Sequence, residues 1–232
     1  MDSFSPGSSP DKNLLRKAQT VHSRLLNAFG VPEWHQPESP LDELISTILS
    51  QNTNDANRDK AFTSLKQSFP TWEKVRDAEP GNVISAIRIA GLANQKGPRI
   101  QNVLKEITRQ RGSLALSFLR SIPREDAREW LLQFKGVGPK TAAIVMQFTL
   151  GHPAFPVDTH IYRVTGRIGL RPDKISVEHT HLLMEQLFNP QVYGVAHMNL
   201  IRLGREICHP HNPECLRCPV NVCCDYFARL PK

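Results

Sequence analysis

Trp130-Leu-Leu-Gln-Phe-Lys-Gly-Val-Gly-Pro-Lys-Thr-Ala-Ala-Ile-Val-Met146 is the stretch on which the fold turns. Ala127, Trp130, Leu131 and Phe134 fall on one face of a helix, and Ala142, Ala143 and Met146 fall on the inner face of a second. Between them Gly136-Val137-Gly138 predicts a tight turn. Pro139 predicts the first position of the second helix, where a missing N–H costs nothing. Two glycines let a ligand approach the backbone closely, since no Cβ stands in the way. The N–H groups at the start of the new helix then face outward, where a phosphate can accept from them. A glycine turn between helices is common in all-α proteins; the whole string GVGPKTA flanked by helices is far more specific.

Outward from this hairpin the periodicity is helical nearly throughout. Leu14, Leu15, Ala18, Val21, Leu25 and Leu26 mark an amphipathic helix that Gly30 can end. Ser39-Pro40-Leu41-Asp42 is a start signal: a serine cap, proline at the first helical position, and an acid three residues after the cap. Leu41, Leu44, Ile45, Ile48 and Leu49 follow as a buried stripe. Further stripes come from Ala61, Phe62, Leu65 and Phe69, from Val83, Ile84 and Ile87, and from Ile100, Val103, Leu104 and Ile107. No run alternates with the period of a strand and no repeat is visible, so the expected class is all-α. Apolar residues at this spacing are core rather than function.

The 232 residues are 40% apolar and 22% charged, enough apolar content for a real core. No stretch approaches the roughly 18 uncharged apolar residues of a membrane span, which excludes an integral membrane protein of helical type. The Ser/Pro/Gly-rich start, residues 1–12, lacks the apolar segment of a signal peptide and is expected to be a flexible tail. The expected location is therefore intracellular, in the cytoplasm or with the nucleoid. A net charge of +7 favours an anionic partner, of which nucleic acid is the commonest.

Lys140 stands near the start of the second hairpin helix, where the positive end of the helix dipole disfavours an ammonium. A lysine amine that gives up its proton is a nucleophile suited to Schiff-base formation; a lysine binding phosphate is the plainer alternative. Asp158, in Phe155-Pro156-Val157-Asp158-Thr159-His160, falls where Ile161, Val164 and Ile168 begin another helix. A capping role suffices to explain it, and a carboxylate there could also accept a proton or stabilise positive charge on a sugar carbon. All five cysteines crowd the C-terminal end, as Cys208-x6-Cys215-x2-Cys218-x5-Cys224 with Cys223 to spare. A local metal site fits this better than a disulfide framework. Four thiolates suffice for a [4Fe–4S] cluster, with zinc as the rival. His209 and His211 are then solvated loop residues.

GVGPKTA followed by AFPVDTHIYRV closely resembles the endonuclease III family of helix-hairpin-helix DNA glycosylases, over roughly residues 34–227. In that family the lysine after GVG attacks C1′ of the damaged nucleotide and the VDTH aspartate assists, roles that fall on Lys140 and Asp158. Relatives that only remove a base commonly replace the lysine, so the resemblance implies a bifunctional DNA glycosylase and AP lyase of base excision repair. It further implies oxidised pyrimidines as targets, in double-stranded DNA carrying a damaged base or AP site, and a monomer. The implied fold is two helical domains. Residues 34–152 form a six-helix barrel with the helix-hairpin-helix at 127–150; residues 13–33 and 153–232 form a helical domain holding the [4Fe–4S] cluster on Cys208, Cys215, Cys218 and Cys224. The implied DNA contacts are Gly136, Val137 and Gly138 of the hairpin, His160, and two loops. Ser50-Gln51-Asn52-Thr53-Asn54-Asp55 resembles the family's S-x-Q-T-x-D loop, with Gln51 or Asn52 filling the gap left by the flipped base. Ile89-Ala90-Gly91-Leu92, followed by Lys96, resembles the second wedge, with Leu92 intercalating. Arg202, Arg205 and Arg217 near the cysteines suggest further phosphate contacts. Phe134-Lys135 replaces the family's usual Leu-Pro, and the stretch Arg111 to Arg128 is longer than usual. The rivals are a monofunctional glycosylase, a non-catalytic DNA-binding module, and a zinc-stabilised interaction protein.

Overall fold

The computed structural model describes residues 10–34 and 39–230. The tail expected over residues 1–12 lies outside them as far as residue 9, and the first helix already begins at Lys12. Among the described residues there are twelve α-helices and no strand, and no helix is long and apolar enough to cross a membrane. They sort into two compact units. One spans the described residues of 36–152, and the other joins those before 36 to those after 152.

Helix α1 (Lys12–Phe29) opens the discontinuous unit and ends at Gly30, whose φ of 75° is left-handed and whose N–H reaches Leu26 O at 2.8 Å. The continuous unit holds α2 (Pro40–Ser50), α3 (Asp55–Ser68), α4 (Trp72–Asp77), α5 (Pro80–Ala86), α6 (Ala93–Arg111), α7 (Arg124–Leu132) and α8 (Pro139–Val145). The expected start of α2 is present. Ser39 Oγ accepts the Asp42 N–H at 3.1 Å, and the Asp42 carboxylate takes bonds from the Ser39 hydroxyl and from Trp72 Nε1 at 3.1 Å. Leu44, Ile45, Ile48, Leu65, Ile100, Leu104 and Ile107 are all fully buried, as their spacing predicts. After α8 the last turn, Met146–Leu150, widens to a π-helix, a local unwinding no periodicity announces.

The discontinuous unit is completed by α9 (Thr159–Ile168), α10 (Val177–Leu187), α11 (Tyr193–Glu206) and the short α12 (Asp225–Ala228). Val21 and Leu25 of α1 share one core with Ile161, Val164, Leu183, Met184, Leu200 and Leu203. Asn199 Nδ2 donates to Gly30 O at 3.1 Å and so fastens the end of α1 to α11.

Candidate functional site

The hairpin of the continuous unit has the expected turn. Val137 N–H donates to Phe134 O at 2.9 Å, and Gly136 holds a φ of +92° that only glycine adopts without strain. A Cβ at Gly136 would also overlap the Arg99 side chain, so glycine is required twice over. Gly138 caps α8 with extended backbone and Pro139 takes the first helical position, while no side chain caps the first-turn N–H groups of Lys140 and Thr141. Such uncapped donors suit an external anion. The Val137 side chain is buried and its N–H is taken by Phe134. Its side chain packs within the hairpin. Lys140 is half-buried at the second position of α8.

The two loops differ from each other in how they are held. Gln51 is half-buried: its Nε2 donates to Gly136 O at 3.0 Å, and its Oε1 accepts from Arg99 Nη1 at 2.7 Å. It therefore braces the hairpin. The neighbouring Asn52 is exposed and left-handed, with φ of 52°, so of the two it is Asn52 that projects from the loop. Leu92 is also left-handed, with φ of 51°, and is 47% exposed as the residue capping α6. No sequence pattern marks Arg99, since its role appears only when α6 lies against the hairpin.

Asp158 belongs to the other unit and caps α9 as its position predicts, Oδ1 accepting the Ile161 N–H at 2.8 Å. The segment that delivers it is buried and braced. Nδ1 of His181 bonds Phe155 O at 3.0 Å, and Nδ1 of His197 bonds Pro156 O at 2.9 Å, so each ring carries its proton on Nδ1. Phe155 N–H reaches Glu185 Oε1 at 3.3 Å, and its ring stacks on Phe188. His160, the second residue of α9, accepts from Arg163 Nη2 at 3.2 Å and packs over Gly204.

The same helix grips the cysteine segment. Arg163 donates to Cys208 O at 3.0 Å and Gly204 O at 2.8 Å; Arg167 donates to His209 O at 2.6 Å, Pro210 O at 2.8 Å and Cys208 Sγ at 3.4 Å. Cys208, Cys215, Cys218 and Cys224 line one cavity with Arg167 and Tyr226, whereas Cys223 turns its thiol to Val220 O. Burial pushes the Cys218 thiol up to about 11. Burial, followed by the nearness of Cys208 and Cys224, raises that of Cys215. Thiols that resist ionising side by side are donors that a cationic group would convert to thiolates. Among the described residues no three His, Cys, Asp or Glu side chains gather closely enough to hold a single metal ion. Four thiols along one cavity match a multi-iron cluster in donor number and donor type. His209 lies 3.3 Å from Glu214, Arg202 pairs with Glu206 at 2.9 Å, and Arg217 pairs with Glu214 at 2.6 Å. The two arginines would have to exchange these partners for phosphate.

Residues 45–190 match the family described as HhH-GPD superfamily base excision DNA repair protein. The endonuclease III of Thermotoga maritima is 32% identical over 201 residues, 87% of this chain and 90% of that one. An Arabidopsis thaliana protein provisionally named a DNA glycosylase is 44% identical over 137 residues, 59% of this chain and 47% of that protein, so the match spans about half of that relative. In fold, a solved structure of a non-covalent endonuclease III–DNA complex superposes with a TM-score of 0.81 at 24% identity, over 93% of this chain and 97% of that one.

Proposed function

Because the chain belongs to the HhH-GPD superfamily of base excision DNA repair proteins, in its endonuclease III branch, we propose that it is a bifunctional DNA glycosylase and AP lyase acting on oxidised pyrimidines in duplex DNA. The observation that carries this reading is an amine, Lys140, at the uncapped start of α8 directly after the glycine hairpin. The target nucleotide must leave the stack, since C1′ is out of reach within a duplex. Asn52 and Leu92 would enter the duplex as it does so, while the Gly136 and Gly138 backbone, with His160, holds the flanking strand. Lys140 Nζ bonds to C1′ as the bond from C1′ to the base breaks, and the base leaves with the electron pair and takes up a proton. The Asp158 carboxylate takes the proton that Nζ sheds and stabilises positive charge at C1′. Opening of the sugar ring, with the proton going to O4′, gives the imine. Loss of a C2′ proton then expels the 3′ phosphate and breaks the strand, and water frees Lys140.

Cys208, Cys215, Cys218 and Cys224 would hold a [4Fe–4S] cluster. Bound there, it would supply an iron–thiolate crosslink across the segment from 208 to 224, which has little apolar core of its own. The partner is double-stranded DNA with a damaged base or AP site, engaged by a single copy of the chain inside the cell. Pure protein is tested on a panel of single-lesion duplexes with borohydride present. Oxidised pyrimidines should give base release, strand cleavage and a protein–DNA adduct that survives denaturation. Base release without cleavage or adduct would make the chain a monofunctional glycosylase and remove Lys140 as nucleophile.

A further inference from the structure

Lys96 is only 1% exposed, although lysine is among the residues least often buried. Its ammonium is held by carbonyl oxygens from two places far apart in sequence, Leu49 O at 2.7 Å and Ala90 O at 2.8 Å. Leu49 O belongs to the last turn of α2, where carbonyls lack helical partners and the dipole favours a cation. Just beyond each of these carbonyls the chain turns left-handed at a residue other than glycine, Asn52 after Leu49 and Leu92 after Ala90. A left-handed, half-exposed leucine is doubly unfavourable, and such conformations persist only where the surroundings over-determine them. Here the surroundings include Lys96 itself, whose N–H closes the turn by donating to Leu92 O at 2.9 Å. One turn further along α6, Arg99 holds Gln51, the residue between Leu49 and Asn52 that braces the hairpin. Burial, reinforced by Arg99, lowers the Lys96 pKa, which marks the charge as costly to keep.

We propose that Lys96 is a positioning residue for base extrusion: its buried ammonium ties the Asn52 loop to the Leu92 turn, so that both enter the duplex as one rigid wedge. The inference rests on the reading of these loops as DNA-facing, and goes beyond it by naming what couples them. A mere core lysine would support the fold and nothing more. A positioning lysine governs what happens to the DNA after it is bound.

The test uses the whole protein and a duplex carrying a tetrahydrofuran abasic analogue with 2-aminopurine opposite, whose fluorescence rises when it unstacks. Lys96→Met removes the ammonium at similar length, and Lys96→Gln keeps an amide donor. The wild type should brighten the probe at saturation. Lys96→Met should cut that rise at least threefold with Kd changed less than threefold, and Lys96→Gln should recover part of it. Cleavage of an abasic site in a single strand, which needs no wedge, should stay within twofold of wild type for both. An undiminished fluorescence rise in Lys96→Met, or an equal loss on the single strand, would overturn the assignment. So would loss of helical circular dichroism in both variants at the assay temperature, which would make Lys96 a support of the fold. A wild type that binds the duplex without brightening the probe removes the wedge reading, and this inference with it.

Discussion

A lysine in the first turn of a helix works against the helix dipole, at a cost of about 0.3–1 kcal/mol. Lys140 holds such a place, and α8 has no cap to soften it. Lys140→Gln should therefore abolish the borohydride adduct and strand cleavage while leaving the thermal midpoint unchanged or slightly raised. Asp158 is the opposite case, because it supports α9 through the Ile161 N–H. Asp158→Asn keeps an acceptor for that bond, so the midpoint should hold while single-turnover base release falls by at least ~10²-fold. Asp158→Ala should add a stability loss of about 1 kcal/mol from the missing cap. At Gly136 the penalty is conformational. Gly136→Ala meets both a φ of +92° and the Arg99 side chain, so it should cost more than about 1 kcal/mol in denaturant titration. The places of Lys140 and Asp158 at helix starts were legible at this scale, since proline, glycine or a helical stripe announces each start. Which of Gln51 and Asn52 projects from its loop was not, because that turns on the sign of one backbone angle and on Arg99 from a helix nearly fifty residues away.

Helix α9 is the element with most to do. It starts at Asp158, and its Arg163 and Arg167 hold the carbonyls of the segment from Cys208 to Pro210. If the four thiols bind an iron–sulfur cluster, the purified protein should absorb near about 400 nm. Cys218→Ser should lose that band and lower the midpoint, because metal binding and folding are coupled in such a segment. Cys223→Ser should keep it, since Cys223 does not line the cavity. Arg167→Ala should retain the band at first and bleach faster on exposure to a chelator, measured as iron per chain over time. Colourless protein with stoichiometric zinc would reverse the assignment. The cysteine spacing exposed this segment in the sequence, and the helical stripes exposed α9. What joins them was hidden, because arginine bonds to backbone carbonyls carry no residue code on the accepting side. Lys96 was hidden for a related reason: a lysine reads as surface until both of its carbonyl partners are known.

For the molecule as a whole, the +7 charge should show itself in affinity for undamaged duplex. Log K should fall by about 0.9 per unit of log salt for each phosphate neutralised. Two or more such contacts would give a slope steeper than about −1.8 in a fluorescence anisotropy titration, and a flat titration would remove the electrostatic footprint. The all-α class and the helical cores were legible from periodicity alone, since each stripe needs only its own residues to be recognised. The lesion preference was not, because no local residue pattern encodes one damaged base over another.

The discontinuous unit has a consequence for how the protein comes off the ribosome. Helix α1 is translated ahead of the other described helices, yet Asn199, which fastens its end, follows Gly30 by 169 residues. At about 5–20 residues per second, α1 waits on the order of ten seconds or more with its apolar stripe uncovered, while the intervening unit can close on itself. Vectorial synthesis thus makes α1 the earliest of the described helices to emerge and among the last to dock. In that interval Val21 and Leu25 are bait for chaperones and for the same stripe on neighbouring nascent chains of a polysome.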